Sequence, residues 1–143
     1  MHILLTRPLE DSQELILRFK SLGHQVSHLP VINIVKEDYD EPNYNEFKGL
    51  IFTSSNAVKN LDVSKIDKNI ICFCVGSNTE KKARNVGFQN TIAAEGNVSN
   101  LKELILQNYE TQSKPLLYVS GKIISADLDK QLLKEGYNIK RII

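Results

Sequence analysis

A short apolar segment, a polar turn, an amphipathic stretch, a glycine and then another apolar segment recur in this order along the chain, and that order limits its fold more than any other feature. Strand-length apolar runs alternating with helical periodicity mark βαβ units, which build parallel sheets flanked by helices. HILLT (2–6) precedes a stretch in which Ser12, Leu15, Ile16, Phe19 and Leu22 fall at helical spacing, closed by Gly23. VSHLPVINIV (26–35) reads as extended, and Pro30 within it predicts a sheet edge or an exit from the sheet. Further strands are expected at GLIFT (49–53), NIICFCV (69–75), TIA (91–93), PLLYV (115–119) and NIKRII (138–143). Helices are expected near 55–62, 78–86, 100–109 and 126–135. Three helix exits, LGHQV, VGFQN and EGYNI, each place glycine, then an aromatic or imidazole ring, then a polar residue. Glycine suits the left-handed position that ends a helix. EDYDEPNYNEF (37–47), acidic and turn-rich with Pro42, reads as a surface connection and a domain boundary.

The 143 residues suffice for one ordinary core or two small lobes, and 41% hydrophobic with 24% charged residues is a folding composition. The 18 basic and 17 acidic residues are scattered without a run of like charge, so neither a nucleic acid nor a membrane surface is expected as a partner. No apolar segment approaches the roughly 20 residues of a membrane span. The opening MHILLTRPLED lacks a secretory leader's charged start and cleavage site, and a cytoplasmic protein is expected. Cys72 and Cys74, two apart on a strand, point to one face, and a disulfide between them would be strained. They are expected as reduced core thiols. His2, His24 and His28 have no metal-ligand spacing, and no metal or cofactor is expected.

The chain's polar residues, most of them uncharged, gather at the turns between strands and helices. These are Thr6-Arg7, Thr53-Ser54-Ser55-Asn56, Gly76-Ser77-Asn78-Thr79, Gly96-Asn97-Val98-Ser99 and Ser120-Gly121-Lys122. Each turn can be a helix cap and nothing more, and Ser77 with Glu80 has the spacing of a capping box. In open parallel sheets, however, ligands bind beyond the carboxyl ends of the strands, where helix starts point their free N–H groups. Several such turns, three of them with glycine, make an anion-binding rim. Neither GxxxxGK[ST] nor GxGxxG occurs, which counts against a nucleotide-using enzyme. Nor is there GxSxG or a nucleophile with a paired His and carboxylate. Backbone N–H groups and hydroxyls, with only Arg7 and Lys122 as cations, suit a ligand carrying several carboxylates.

In order, ILLTRP (3–8), LIFTSSNAV (50–58), CVGSNTEKKARNVGF (74–88), EGNVSNL (95–101) and LLYVSGK (116–122) resemble uroporphyrinogen-III synthase. The resemblance implies two α/β lobes of parallel sheets flanked by helices, the first lobe made from both ends of the chain and the second inserted. It implies a cytoplasmic hydro-lyase of tetrapyrrole and haem biosynthesis that uses no cofactor or metal. Such an enzyme closes the linear tetrapyrrole hydroxymethylbilane, inverting ring D, to give uroporphyrinogen III. Ring closure proceeds unaided without inversion, so the enzyme's task is mainly to fold and orient the substrate.

The resemblance also implies substrate contacts. Thr6 and Arg7 match the family's first turn, Ser54 the hydroxyl after the second apolar strand, and Thr79 the threonine of the VGxxT turn. Gly121 and Lys122 match a turn that contacts carboxylates mostly through backbone, while Ser125 replaces a basic residue often found after it. Ser55, Asn56, Gly76, Ser77, Gly96, Asn97 and Ser120 complete the expected substrate-binding set. Against the family pattern we expect residues 1–34 to be the first βαβ unit of a discontinuous domain, 35–47 a linker, and 48–143 the inserted domain. The first lobe would be incomplete, and the family's tyrosine, proposed to assist hydroxyl departure, would lie beyond Ile143, so no catalytic residue is assigned. Residues 1–34 are expected to self-associate or to unfold locally. The alternative is a non-catalytic module that binds polycarboxylates.

Overall fold

A computed structural model describes residues 1–122, 124 and 126–143, so the departure at Ser125 lies outside the described residues. The chain divides into two compact units, Met1–Lys36 and Glu37–Ile143.

The first unit is one βαβ turn of chain. Strand β1 (His2–Leu5) leads through Thr6-Arg7-Pro8 to helix α1 (Leu9–Ser21) and on to β2 (Gln25–His28). The strands pair in parallel, His2 opposite Gln25 and Leu5 opposite His28. The strand proper ends at His28, yet Leu29 and Val31 still donate to the Leu5 and Thr6 carbonyls at 2.9 and 3.0 Å, on either side of Pro30, which has no N–H to give. The unit has no apolar core. Ser12 is its one buried residue, Ile3, Leu5, Leu15, Ile16 and Phe19 are half-buried, and Leu17 is 70% exposed.

The second unit is a five-stranded, all-parallel sheet. Its elements are β3 (Gly49–Phe52), α2 (Ser55–Asn60), β4 (Ile71–Val75), α3 (Ser77–Asn85), β5 (Asn90–Ala94), α4 (Val98–Asn108), β6 (Leu116–Val119), α5 (Leu128–Lys134) and β7 (Ile139–Ile142). The strands lie in the order β5-β4-β3-β6-β7. From β3 the chain first adds strands on one side, then β6 and β7 on the other. That is a doubly wound sheet.

Alternate side chains of each central strand face opposite layers. Leu50, Phe52, Cys72, Cys74, Leu117 and Val119 meet Val58 of α2 with Ala83 and Phe88 from and after α3. Ile51, Phe73, Leu116 and Tyr118 meet Leu101 and Ile105 of α4 with Leu128 and Leu132 of α5. Central strands buried on both faces explain why GLIF and LLYV are unbroken apolar runs. Both cysteines are free and buried on the first face. Burial pushes the Cys74 thiol up to about 12 and raises Cys72 as well.

Three equivalent helix exits follow from the three similar sequences. His24, Phe88 and Tyr137 donate their N–H groups to Phe19, Ala83 and Leu132, five residues back, at 3.1 Å in each case. The preceding glycines, at φ 82°, 109° and 89°, bond three residues back. This is the Schellman arrangement, and only its glycine reaches that φ without strain. The stretch expected as a surface connection contributes more than a link: Pro42, Tyr44 and Phe47 are buried, and Tyr44 and Phe47 join the first core layer. Its acidic residues remain at the surface while these rings dock. Among the described residues no helix is long and apolar enough to cross a membrane.

Candidate site at the carboxyl edge of the five-stranded sheet

Because all five strands run in parallel, the turns that follow β3, β4, β5 and β6 emerge along one edge of the sheet. Strand order reverses between β3 and β6, the place at which open parallel sheets bind ligands, because neighbouring connections leave to opposite faces there. The two turns flanking that point are Thr53–Asn56 and Ser120–Lys122. Thr53 Oγ1 and the Tyr118 hydroxyl stand 3.4 Å apart, tying the two strand ends together.

After β3, Ser54 is extended and its Oγ accepts the Asn56 N–H at 3.1 Å, so Ser54 caps α2. Ser55 and Asn56, both expected as caps, are instead the first helical residues. Their side chains are half-buried, and the Asn56 carbonyl accepts from Asn60 Nδ2 at 2.9 Å.

After β4, the expected capping box does not form. Gly76 is the residue before α3, at φ 81°, and Ser77 is already helical. A serine capping at that position would have to adopt the positive φ that glycine takes instead. The Glu80 N–H bonds to the Gly76 carbonyl at 3.2 Å, and the Glu80 carboxylate pairs with Arg84 at 3.2 Å. Thr79, expected to offer its hydroxyl to a ligand, is only 4% exposed and lies within the first turn of α3. After β5, Asn97 caps α4, its Oδ1 accepting the Asn100 N–H at 3.1 Å, and Gly96 gives the chain its sharp entry.

The turn after β6 is held from the neighbouring strand. Arg141 of β7 donates from Nε to Ser120 Oγ at 2.6 Å and from Nη2 to the carbonyls of Gly121 at 2.8 Å and Lys122 at 3.3 Å. Ser120 is 5% exposed, and its hydroxyl donates to the Gly121 carbonyl at 3.1 Å. Gly121 and Lys122 are exposed, and the Lys122 ammonium lies 3.8 Å from Glu37.

Thr6 and Arg7 belong to the first unit, not to this sheet edge. Their backbone is well fixed: the Arg7 carbonyl accepts from His28 Nε2 at 2.7 Å and from Ser12 Oγ at 3.3 Å, and the Thr6 carbonyl accepts the Val31 N–H at 3.0 Å. The Arg7 side chain is exposed.

Sequence reasoning missed Arg141. The signal was present: Arg141 shares its strand face with Ile139, which packs on the second core layer. A basic residue at a core-facing position near the carboxyl end of a strand has to find partners in the adjoining turn. His28 has no metal-ligand spacing to draw notice in the sequence, and its bond to the Arg7 carbonyl depends on a turn that sequence alone does not close.

Among the described residues no group of three or more His, Cys, Asp or Glu is placed to hold a metal ion. A depression of about 560 Å³, lined by Leu106–Gln112 and Tyr137, opens where α4 ends. It adjoins the start of β6, the opposite edge of the sheet from these turns.

A family model described as uroporphyrinogen-III synthase HemD matches residues 13–143. Among solved structures, uroporphyrinogen-III synthetase from Helicobacter pylori aligns with a TM-score of 0.57 at 19% identity, covering 99% of this chain and 59% of that one. Wild-type uroporphyrinogen III synthase from Thermus thermophilus aligns with a TM-score of 0.51 at 14% identity, again over 99% and 59%. These likenesses show the fold, and the chain spans about three-fifths of the length of those structures. No curated protein matches the sequence.

Proposed function

The chain belongs to the uroporphyrinogen-III synthase family, and on that premise we propose that it serves the cyclisation of hydroxymethylbilane to uroporphyrinogen III, with inversion of ring D. The observation that supports this reading is that the Ser54–Asn56 and Ser120–Lys122 turns follow the two neighbouring strands between which strand order reverses. Both are backbone-rich turns with hydroxyls, which suits the carboxylates of a substrate bearing an acetate and a propionate on every ring.

In this reading the residues orient rather than react. Hydroxyl loss from an electron-rich pyrrole gives an azafulvene cation, attack through the substituted α-carbon of ring D gives a spiro intermediate, and fragmentation and re-closure follow. Holding the carboxylates fixes which carbon attacks, and that is positioning catalysis. The backbone of exposed Gly121 and Lys122 with the Lys122 ammonium, the start of α2 behind Ser54, and the starts of α3 and α4 at Gly76, Ser77, Gly96 and Asn97 are the proposed contacts. Thr6 and Arg7 are proposed as the first unit's own substrate contacts, and buried Thr79 is proposed to act by shaping its turn. The reading makes the chain a lyase of tetrapyrrole and haem biosynthesis in the cytoplasm, working without a cofactor.

The experiment is in two parts. Calorimetry with an octacarboxylate porphyrin against ATP and NAD should show the porphyrin binding more tightly, and tighter binding of either nucleotide overturns the proposal. Incubation with hydroxymethylbilane then separates an enzyme, which forms the type III isomer above background, from a module that binds polycarboxylates without turnover.

A further inference from the structure

We propose that Arg141 is a positioning residue for this site, locking the Ser120–Lys122 turn so that the Lys122 backbone N–H faces the carboxylate. The inference rests on the carboxylate-binding reading above. Its geometric basis is independent of that reading. One guanidinium spans three acceptors, Ser120 Oγ and the carbonyls of Gly121 and Lys122, at 2.6, 2.8 and 3.3 Å.

In a trans peptide the carbonyl of one residue and the N–H of the next point in opposite directions. The described chain has no cis peptide. Drawing the Gly121 carbonyl onto Arg141 therefore turns the Lys122 N–H away from the guanidinium, toward the open side of the turn. A turn of Gly and exposed Lys has many conformations in the free chain, and fixing one before the ligand arrives removes that ordering cost from binding.

The Ser120 N–H donates to the Ile142 carbonyl at 3.0 Å, which fixes the start of the turn and not the Gly121–Lys122 peptide. The Lys122 ammonium lies 3.8 Å from Glu37, between side chains 73% and 52% exposed, and exposed pairs of that kind stabilise little. Lysine in place of Arg141 could not replace it either. An ammonium is a point charge, whereas the planar fork of arginine reaches several acceptors in fixed directions.

The test uses the full chain with uroporphyrin as the octacarboxylate probe. Arg141→Met should weaken binding by about tenfold, the loss expected when charged hydrogen bonds are removed. Arg141→Lys should weaken it nearly as much, because the charge survives and the fork does not. In the unliganded protein, the backbone amide signals of Gly121 and Lys122 should move in both variants, while those of Gly76 and Asn97 stay in place. Arg141→Gln stands in if Arg141→Met fails to fold, with urea midpoints checking every variant. Wild-type affinity in Arg141→Lys would show that only charge matters and overturn the inference, as would amide signals of the turn that do not move. If the unmodified chain does not bind uroporphyrin, the carboxylate-binding reading falls and the inference with it.

Discussion

The hydroxyls of Thr53 and Tyr118 stand 3.4 Å apart at the carboxyl ends of β3 and β6, the two strands between which the sheet reverses its order. Tyr118 is 1% exposed, so this pair braces the site without facing a ligand. Tyr118→Phe should cost under about 1 kcal/mol, as a single long neutral hydrogen bond is worth no more. Affinity for uroporphyrin should stay within about twofold of the parent, where a larger loss would mean that the phenol reaches the ligand.

Ser54→Ala and Asn97→Ala each remove the acceptor for a first-turn N–H and should cost about 1 kcal/mol. Ser77→Ala should cost much less, since Gly76 occupies the capping position. Urea midpoints of the three variants check the order. A Ser77→Ala loss equal to the other two would restore the capping box that the structure lacks.

Gly49 opens β3 against the second core layer. A Cβ built there would stand 2.4 Å from Leu116 Cδ2 and 3.2 Å from Tyr109 Cε2. Leu116 is fully buried and has little room to yield, so Gly49→Ala should destabilise by about 1–3 kcal/mol through overpacking. Thermal and urea unfolding would show it, and an unchanged midpoint would mean that Leu116 repacks freely.

Alkaline pH should weaken the fold. Burial raises the Cys74 thiol from 9.0 to about 12, with Glu80 adding, and raises Cys72 through burial and then Cys74. Folded thiols keep their protons while unfolded ones ionise. The stability they contribute is therefore complete below pH 9 and is lost as pH rises toward 12, by about 1.4 kcal/mol per pH unit for each thiol. Tyr109, raised by burial from 10.0 to about 12, adds to the slope above pH 10. Urea unfolding at a series of pH values should show this fall, less steeply in the double variant Cys72→Ala, Cys74→Ala. Equal slopes would remove the thiols as its cause.

Amides of Met1–Lys36 should exchange with solvent faster than those of β3, β4 and β6. That unit buries only Ser12 and leaves Leu4, Leu17 and Leu22 more than half exposed, so little apolar burial opposes its opening. Self-association through residues 1–34 would slow this exchange in step with concentration, and sedimentation would detect the larger species. Concentration-independent protection equal to that of β3 in a monomer would refute both expectations.

The sequence alone determined what depends on neighbours along the chain. Short apolar runs and helical apolar patterns placed the strands and helices of the second unit to within a few residues, while the extended segment expected over 26–35 is a strand only over Gln25–His28; the three glycine exits followed from a backbone conformation that glycine alone adopts freely. Cys72 and Cys74 shared a face because strand side chains alternate. Tertiary structure decided which strands lie side by side, because parallel pairing joins segments far apart in sequence and no local pattern records the partner. That choice set β3 beside β6, brought two of the polar turns together, and left Thr6 and Arg7 in another unit. It also gave Arg141 its role: a basic residue on β7 has only its charge in the sequence, and gains three oriented acceptors when β7 pairs with β6 and the Ser120 turn folds over its end.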